Sequence, residues 1–240
     1  MKLSKRLAAI DALITRQQNT IWDCCCDHGY LGMALLKRSA ADKVMFVDIL
    51  PNVMADLEAT LTRNKKLRTP GDKKPEWQVL CQDVGSIKLD DVANQVVVIA
   101  GIGGELALRL VQQIIANNSP ECVKHVRFIL CPIHHTYLLR SGLHTLNLGL
   151  HSEHIISDKN RIYELIEVSF KSNQTVSKTG DAMWDLNNKQ HTAYIQRLLN
   201  HYNKMLNKDE LYYQKVISDY QSLYDSQKSP ILSGGCDLIT

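Results

Sequence analysis

Short apolar runs alternate with amphipathic stretches along most of the chain, and this alternation restricts its fold more than any other feature. Runs at 20–25, 44–48, 77–81, 95–100 and 126–131 have strand length, and helical periodicity follows at 30–38, 52–63, 105–116 and 136–146. Parallel strands cannot be joined by tight turns, so a repeated strand, helix, strand order predicts a wound parallel sheet with helices on both faces. Leu3, Leu7, Ile10, Leu13 and Ile14 recur at helical spacing, which predicts a leading amphipathic helix over 5–16 that covers one edge of the sheet. The period then changes, because β-rich runs at 151–157 and 161–171 flank Asp158-Lys-Asn160, a turn composition that predicts an antiparallel hairpin. The expected fold class is α/β, a seven-stranded Rossmann-like sheet finished by an antiparallel pair at one edge.

Residues 172–180 are polar and turn-rich. Beyond them Tyr194, Leu198, His201, Tyr202 and Met205, then Tyr213, Val216, Tyr220 and Leu223, recur three and four apart. Such stripes predict a self-packing, coiled-coil-like helical hairpin that breaks near Asn207. The expected organisation is a sheet domain with its leading helix over 1–172, the hairpin over 173–228 and a patternless tail over 229–240.

At 240 residues and 45% apolar composition the chain can fill a sizeable core. It contains no run near the roughly 18 apolar residues of a membrane span, and charge runs through its first helix, so the expectation is a soluble, cytoplasmic protein with no membrane partner. Seven cysteines, with Cys24, Cys25 and Cys26 consecutive, lack C-x-x-C spacing, and neither a disulfide framework nor a metal site is expected. His134 and His135 are adjacent and point apart on extended backbone, a poor start for metal ligation. The net charge of +3 is too mild to demand a polyanionic partner. Local clusters still leave nucleic acid open: Lys65, Lys66, Arg68, Lys73 and Lys74 in the loop 64–75, and Lys189, Arg197, Lys204, Lys208 and Lys215 on the hairpin. The oligomeric state is left open.

The chemistry concentrates at the first strand-to-helix corner, Asp23-Cys-Cys25-Cys-Asp27-His28-Gly29-Tyr30-Leu31. In a parallel sheet, ligands bind at such corners. Cys25, Asp27 and Gly29 occupy the alternate positions where an acid-x-Gly-x-Gly-x-Gly loop carries glycines that admit a ligand closely. A tight turn with a satisfied aspartate and ordinary buried cysteines is the alternative reading. Asp48 closes the second strand, where a carboxylate can accept both ribose hydroxyls, and Asp83 follows the third, so acids recur at three successive strand ends. The fourth strand ends in Ala100-Gly101-Ile102-Gly103-Gly104, small residues expected to open room beside a cofactor.

These segments, together with 128–132 and the Lys159-Asn-Arg-Ile-Tyr163-Glu164 element, resemble the bacterial tRNA (adenine-N1) methyltransferases acting on position 22. The family's first motif is similar to Asp-Ile-Gly-Ser-Asp-His-Ala-Tyr-Leu, so Asp23, Asp27, His28, Tyr30 and Leu31 carry over, with Cys25 at the glycine position and Gly29 at the alanine position. The resemblance implies a class I methyltransferase fold, S-adenosylmethionine as cofactor and tRNA as partner. It implies cofactor contacts at Asp23, Cys25, His28, Gly29, Tyr30, Asp48, Ile49, Asp83, Val84, Ala100, Gly101, Ile102 and Gly103. Asp27 and His28 are the candidate catalytic residues, and Pro132, His134 and Tyr163 the candidate substrate contacts. After the fifth strand the family pattern resembles Gln-Pro-Asn, whereas this chain reads Cys131-Pro132-Ile133-His134-His135, a departure on the methyl-acceptor side. Two other classes are weighed. A nicotinamide-dependent oxidoreductase would need a glycine where Leu106 stands, and the main alternatives are a methyltransferase-derived RNA-binding module without catalysis and a methyltransferase with a different substrate.

Overall fold

The computed structural model describes residues 2–15, 17–64 and 75–228. The basic cluster Lys65, Lys66, Arg68, Lys73 and Lys74 and the tail 229–240 lie outside the described residues. The chain divides into two compact units, 1–177 and 178–240.

In the first unit the strands are β1 (Gln18–Cys24), β2 (Ala41–Asp48), β3 (Glu76–Cys81), β4 (Gln95–Ala100), β5 (Val126–Cys131), β6 (Gly149–Asp158) and β7 (Arg161–Ser169). They form one seven-stranded sheet in the order β3-β2-β1-β4-β5-β7-β6, the architecture expected from the alternating pattern. The first five run parallel, β7 pairs antiparallel with β5, and β6 closes the edge as the other half of the hairpin. The helices are α1 (Lys5–Leu13), α2 (Tyr30–Lys37), α3 (Pro51–Arg63), α4 (Gly104–Asn117), the short α5 (Pro120–Val123) and α6 (Thr136–Thr145).

Strand periodicity sends alternate side chains to opposite faces, and β4 shows why the strands are apolar throughout. Val97 and Ile99 pack with Ala107, Leu110, Val111 and Ile114 of α4 and Leu139 and Leu143 of α6. Val96 and Val98 join the other face, with Ile10 of α1, Leu31 and Leu35 of α2, and Leu57 and Leu61 of α3. Two apolar layers therefore sandwich the sheet. The leading helix ends at Leu13, earlier than residue 16, and packs against the edge strand β6 and against α2.

A polar cluster centred on a buried arginine lies inside this unit. Arg140 of α6 is fully buried and donates Nε to Glu164 of β7 at 2.8 Å and a guanidinium N–H to Glu153 of β6 at 2.5 Å. Removal from water disfavours its cation, yet the two carboxylates raise its pKa well above the ordinary arginine value. Glu164, part of the motif that suggested the family, is thus committed to pinning the β6–β7 hairpin to α6.

The second unit contains α7 (Lys189–Lys204) and α8 (Glu210–Lys228), the expected helical hairpin, with its break spanning Asn207. Tyr194, Ile195, Leu199 and Tyr202 are buried on α7, and Val216, Tyr220 and Leu223 on α8. Tyr202 stacks on Tyr220 with ring centroids 5.8 Å apart, and Trp184 on Tyr194 at 5.6 Å. Ile195 and Leu199 replace Leu198 and His201 on the buried stripe, since a period of 3.6 lets neighbouring positions compete for the inner face. Among the described residues no helix is long and apolar enough to cross a membrane.

Candidate functional site

A cavity of about 650 Å³ opens at the carboxyl ends of β1, β2 and β4, lined from the expected set by Asp23, Cys25, Asp27, His28, Tyr30, Asp48, Ile49, Asp83, Val84, Ala100, Gly101 and Ile102. Its floor is the corner between β1 and α2. There the backbone takes positive φ at Cys25 (54°), Asp27 (49°) and Gly29 (66°), so all three alternate positions are left-handed although only one is glycine. A left-handed conformation costs a residue with a Cβ roughly 1–2 kcal/mol. The chain therefore keeps a glycine-loop path with a thiol and a carboxylate hanging from it.

Several contacts hold that path. Asp48 accepts the Asp27 N–H on Oδ2 and the Leu50 N–H on Oδ1, both at 3.2 Å, tying the corner to the end of β2. Each oxygen retains a lone-pair direction for a further donor. Asp23 is buried and its Oδ2 accepts the Gly32 N–H at 2.8 Å. A Cβ on Gly32 would stand 2.2 Å from the Phe46 ring and 3.0 Å from that oxygen, so only glycine lets the helix come so near the acid. Asp83 caps the 3₁₀ turn Val84–Ser86 through the Gly85 N–H at 2.8 Å.

Burial, reinforced by the Asp48 charge, lifts the Asp23 carboxyl to about 7, against the opposing effect of its hydrogen bond from Gly32. Burial likewise pushes Cys25 up to about 12, with Asp48, Asp23 and Asp83 adding to it, and Cys24 and Cys26 also rise. Thiols in that state are protonated near neutrality and are poor nucleophiles. Asp27 and His28 sit at the rim, 70% and 59% exposed at the side chain, with Nε2 and Oδ1 3.7 Å apart, too far for a hydrogen bond. The His28 and Tyr30 rings lie 5.7 Å apart beside them.

Gly29, Gly103, Pro132, His134 and Tyr163 do not line the cavity. Gly29 supports it from behind, where a Cβ would meet Leu57 at 2.7 Å. Gly103 and Gly104 were expected to make room for a cofactor, but the room they make is taken by the next loop. A Cβ on Gly103 would lie 2.4 Å from the His134 ring, and one on Gly104 would lie 2.3 Å from the His135 carbonyl. Three backbone bonds join the loops: the Gly101 N–H donates to Cys131 O (3.1 Å), Ile133 to Ile102 (2.9 Å) and Gly104 to His134 (2.8 Å). The departure at 131–135 thus braces the loop after β4, with His134 exposed outside it and Pro132 buried beneath.

The cavity also has walls that sequence reasoning missed, namely Ser4, Arg6 and Leu7 of the leading segment and Leu106 and Arg109 of α4. Arg6 stands over the Tyr163 ring at 5.1 Å and within 3.7 Å of where a Gly101 Cβ would sit. Its helical stripe gave no hint of this, because the contacts come from strands far along the chain. Gly32 had a readable cue, a glycine in the first turn of an otherwise apolar helix.

A family model described as a methyltransferase domain matches residues 3–166. The chain belongs to that methyltransferase domain family. The match spans the whole parallel part of the sheet and most of the β6–β7 hairpin. Among solved structures, M. capricolum TrmK in complex with S-adenosylhomocysteine is similar at a TM-score of 0.72 and 19% identity, covering 95% of this chain and 100% of that one. The B. subtilis tRNA (m1A22) methyltransferase TrmK gives 0.67 at 17% identity, with 95% and 96% covered. A Streptococcus agalactiae protein of the NADB-Rossmann superfamily gives 0.69 at 17% identity, with 93% and 97% covered. These likenesses are of fold. No curated protein matches the sequence.

Proposed function

We propose that this methyltransferase domain uses S-adenosylmethionine to methylate N1 of an adenine in tRNA, in the cytoplasm. The observation that carries the reading is the corner itself: Cys25, Asp27 and Gly29 hold left-handed backbone at the glycine-loop spacing, directly beside the Asp48 carboxylate. The similar M. capricolum and B. subtilis structures, described respectively with the cofactor product and as a tRNA (m1A22) methyltransferase, support the same choice.

The residues fit such a ligand. Asp48 has lone pairs left for ribose hydroxyls, Tyr30, Ile49 and Leu50 expose 48%, 63% and 52% of their surface for a flat heterocycle and its sugar, and Gly101 leaves its side of the wall bare. When bound, the cofactor supplies an electrophilic methyl group on a sulfonium. Adenine N1 carries a lone pair in the neutral base, so no side chain has to remove a proton first. The N–C bond forms as the C–S bond breaks, and its electron pair stays on sulfur. The protein's task is to orient and to balance charge. Asp27, at the rim, faces the developing positive charge on the base, and His28 and Tyr30 frame the approach. N1 is occupied in a paired stem, so the nucleotide must leave its stack to enter the cavity. On the second unit Lys189, Arg197, Lys204 and Lys208 are exposed for phosphate contact, while Lys215 is paired with Asp219.

Calorimetry with S-adenosylhomocysteine tests the cofactor half. Binding by the wild-type protein, weakened at least about tenfold in Asp48→Asn, is expected from the loss of a charged acceptor. Undetectable wild-type binding would replace this reading with a non-catalytic RNA-binding module.

A further inference from the structure

Arg6 lines the cavity between Tyr163 of β7 and Gly101 after β4, and several contacts keep it there. Its own backbone N–H donates to Asp158 Oδ2 at 3.1 Å, across 152 residues of sequence. Hydrogen bonds from Arg6, Ser4 and Lys5 hold the Asp158 carboxyl below the usual carboxylate range, so the first turn of α1 is fastened to the β6–β7 turn at neutral pH. The guanidinium then lies over Tyr163 of β7 and beside Gly101 after β4, and its charge reaches the Cys131 thiol at the end of β5. Among the described residues it has neither a carboxylate partner nor a hydrogen-bond acceptor. Asp48 and Asp83, the acids at the cofactor end, belong to β2 and the β3 turn on the far side of β1 and β4.

We infer that Arg6 is a phosphate anchor for the acceptor nucleotide, held on Tyr163 so that its N–H fork grips a backbone phosphodiester of the extruded residue. A guanidinium stacked on an aromatic ring keeps its edge donors available, and that fork matches phosphate oxygens. The charge argument fixes which part of the nucleotide it meets. Methylation at N1 leaves a cationic base, which a neighbouring guanidinium would destabilise; the base therefore goes toward Asp27 and the anionic phosphate toward Arg6. The inference rests on the tRNA reading above.

The test compares wild type, Arg6→Lys, Arg6→Gln and Tyr163→Leu, using tRNA purified from a strain deleted for this gene. Binding is followed by anisotropy across a salt series, and S-adenosylhomocysteine affinity by calorimetry. Arg6→Gln should weaken tRNA binding about tenfold and lower the slope of log affinity against log salt by about one, the mark of one lost phosphate contact. Arg6→Lys should restore the slope but only part of the affinity, Tyr163→Leu should fall between, and cofactor affinity should stay within about twofold. An unchanged slope in Arg6→Gln overturns the inference. So does a parallel loss of cofactor affinity, which would place Arg6 on the cofactor's carboxylate. If wild type binds tRNA with the expected slope difference but transfers no methyl group, the proposed reaction fails while the anchor stands; if it binds no tRNA, both fail.

Discussion

At the residue scale the decisive position is Cys25, which adopts a glycine's backbone without being one. Its strain, about 1–2 kcal/mol, is comparable with the entropy that a glycine loses on folding, so Cys25→Gly should change stability little. Cofactor affinity should respond more. Removing Cβ and Sγ from the cavity floor is expected to tighten S-adenosylhomocysteine binding by roughly tenfold, about 1.4 kcal/mol, in calorimetry. Cys25→Ala keeps both Cβ and strain and should gain less; equal affinity in all three proteins would show that the thiol crowds nothing. Asp23 carries a second prediction. Its carboxyl titrates at about 7 when folded against 3.8 as a free side chain, so between those values the folded state holds a proton that the unfolded state has lost. Stability must fall as pH rises through that window, by roughly 4 kcal/mol in all. Urea midpoints measured from pH 4 to 8 should show the decline in the wild type, and Asp23→Asn, which can still accept from Gly32, should flatten it.

At the scale of elements, the Arg140 cluster decides how β6 and β7 are kept against α6. Arg140→Leu leaves Glu153 and Glu164 buried together without their cation and should cost about 3–5 kcal/mol in urea unfolding. Replacing all three by apolar residues of similar volume should recover much of that loss, because the carboxylates then no longer need a partner. None of this was visible in the sequence, where the three residues lie 13 and 24 positions apart with no periodic relation. By contrast β4 and β5 fall at 95–100 and 126–131, the same bounds that the apolar runs mark, since strands buried on both faces must be apolar at every position. β1 begins earlier than its apolar run because Gln18 is a buried polar residue whose N–H donates to the Ala40 carbonyl at 2.9 Å; within the run, Thr20 Oγ1 donates to Asp90 at 2.7 Å, a partner 70 residues away. Helix α5 was missed although its grammar was present: Ser119 caps it by accepting the Cys122 N–H, and Pro120 follows at the first helical position. The site divides in the same way. Local spacing marks Asp23, Cys25, Asp27 and Asp48, whereas Arg6 reaches the cavity only because β6, β7 and the loop after β4 meet around it.

At the scale of the whole molecule, the sheet places a cavity with Asp27 at its rim and Arg6 in its wall, and the second unit adds a hairpin with exposed lysines and an arginine. No element taken alone specifies the substrate. The central claim joins them: methyl transfer to an adenine N1 in tRNA. Purified full-length protein should be incubated with methyl-labelled S-adenosylmethionine and total RNA from a strain deleted for this gene, and the labelled nucleoside identified and mapped. The account predicts label in N1-methyladenosine within tRNA, reduced in both Asp48→Asn and Asp27→Asn. Label in a different nucleoside, in protein alone, or in nothing would contradict it.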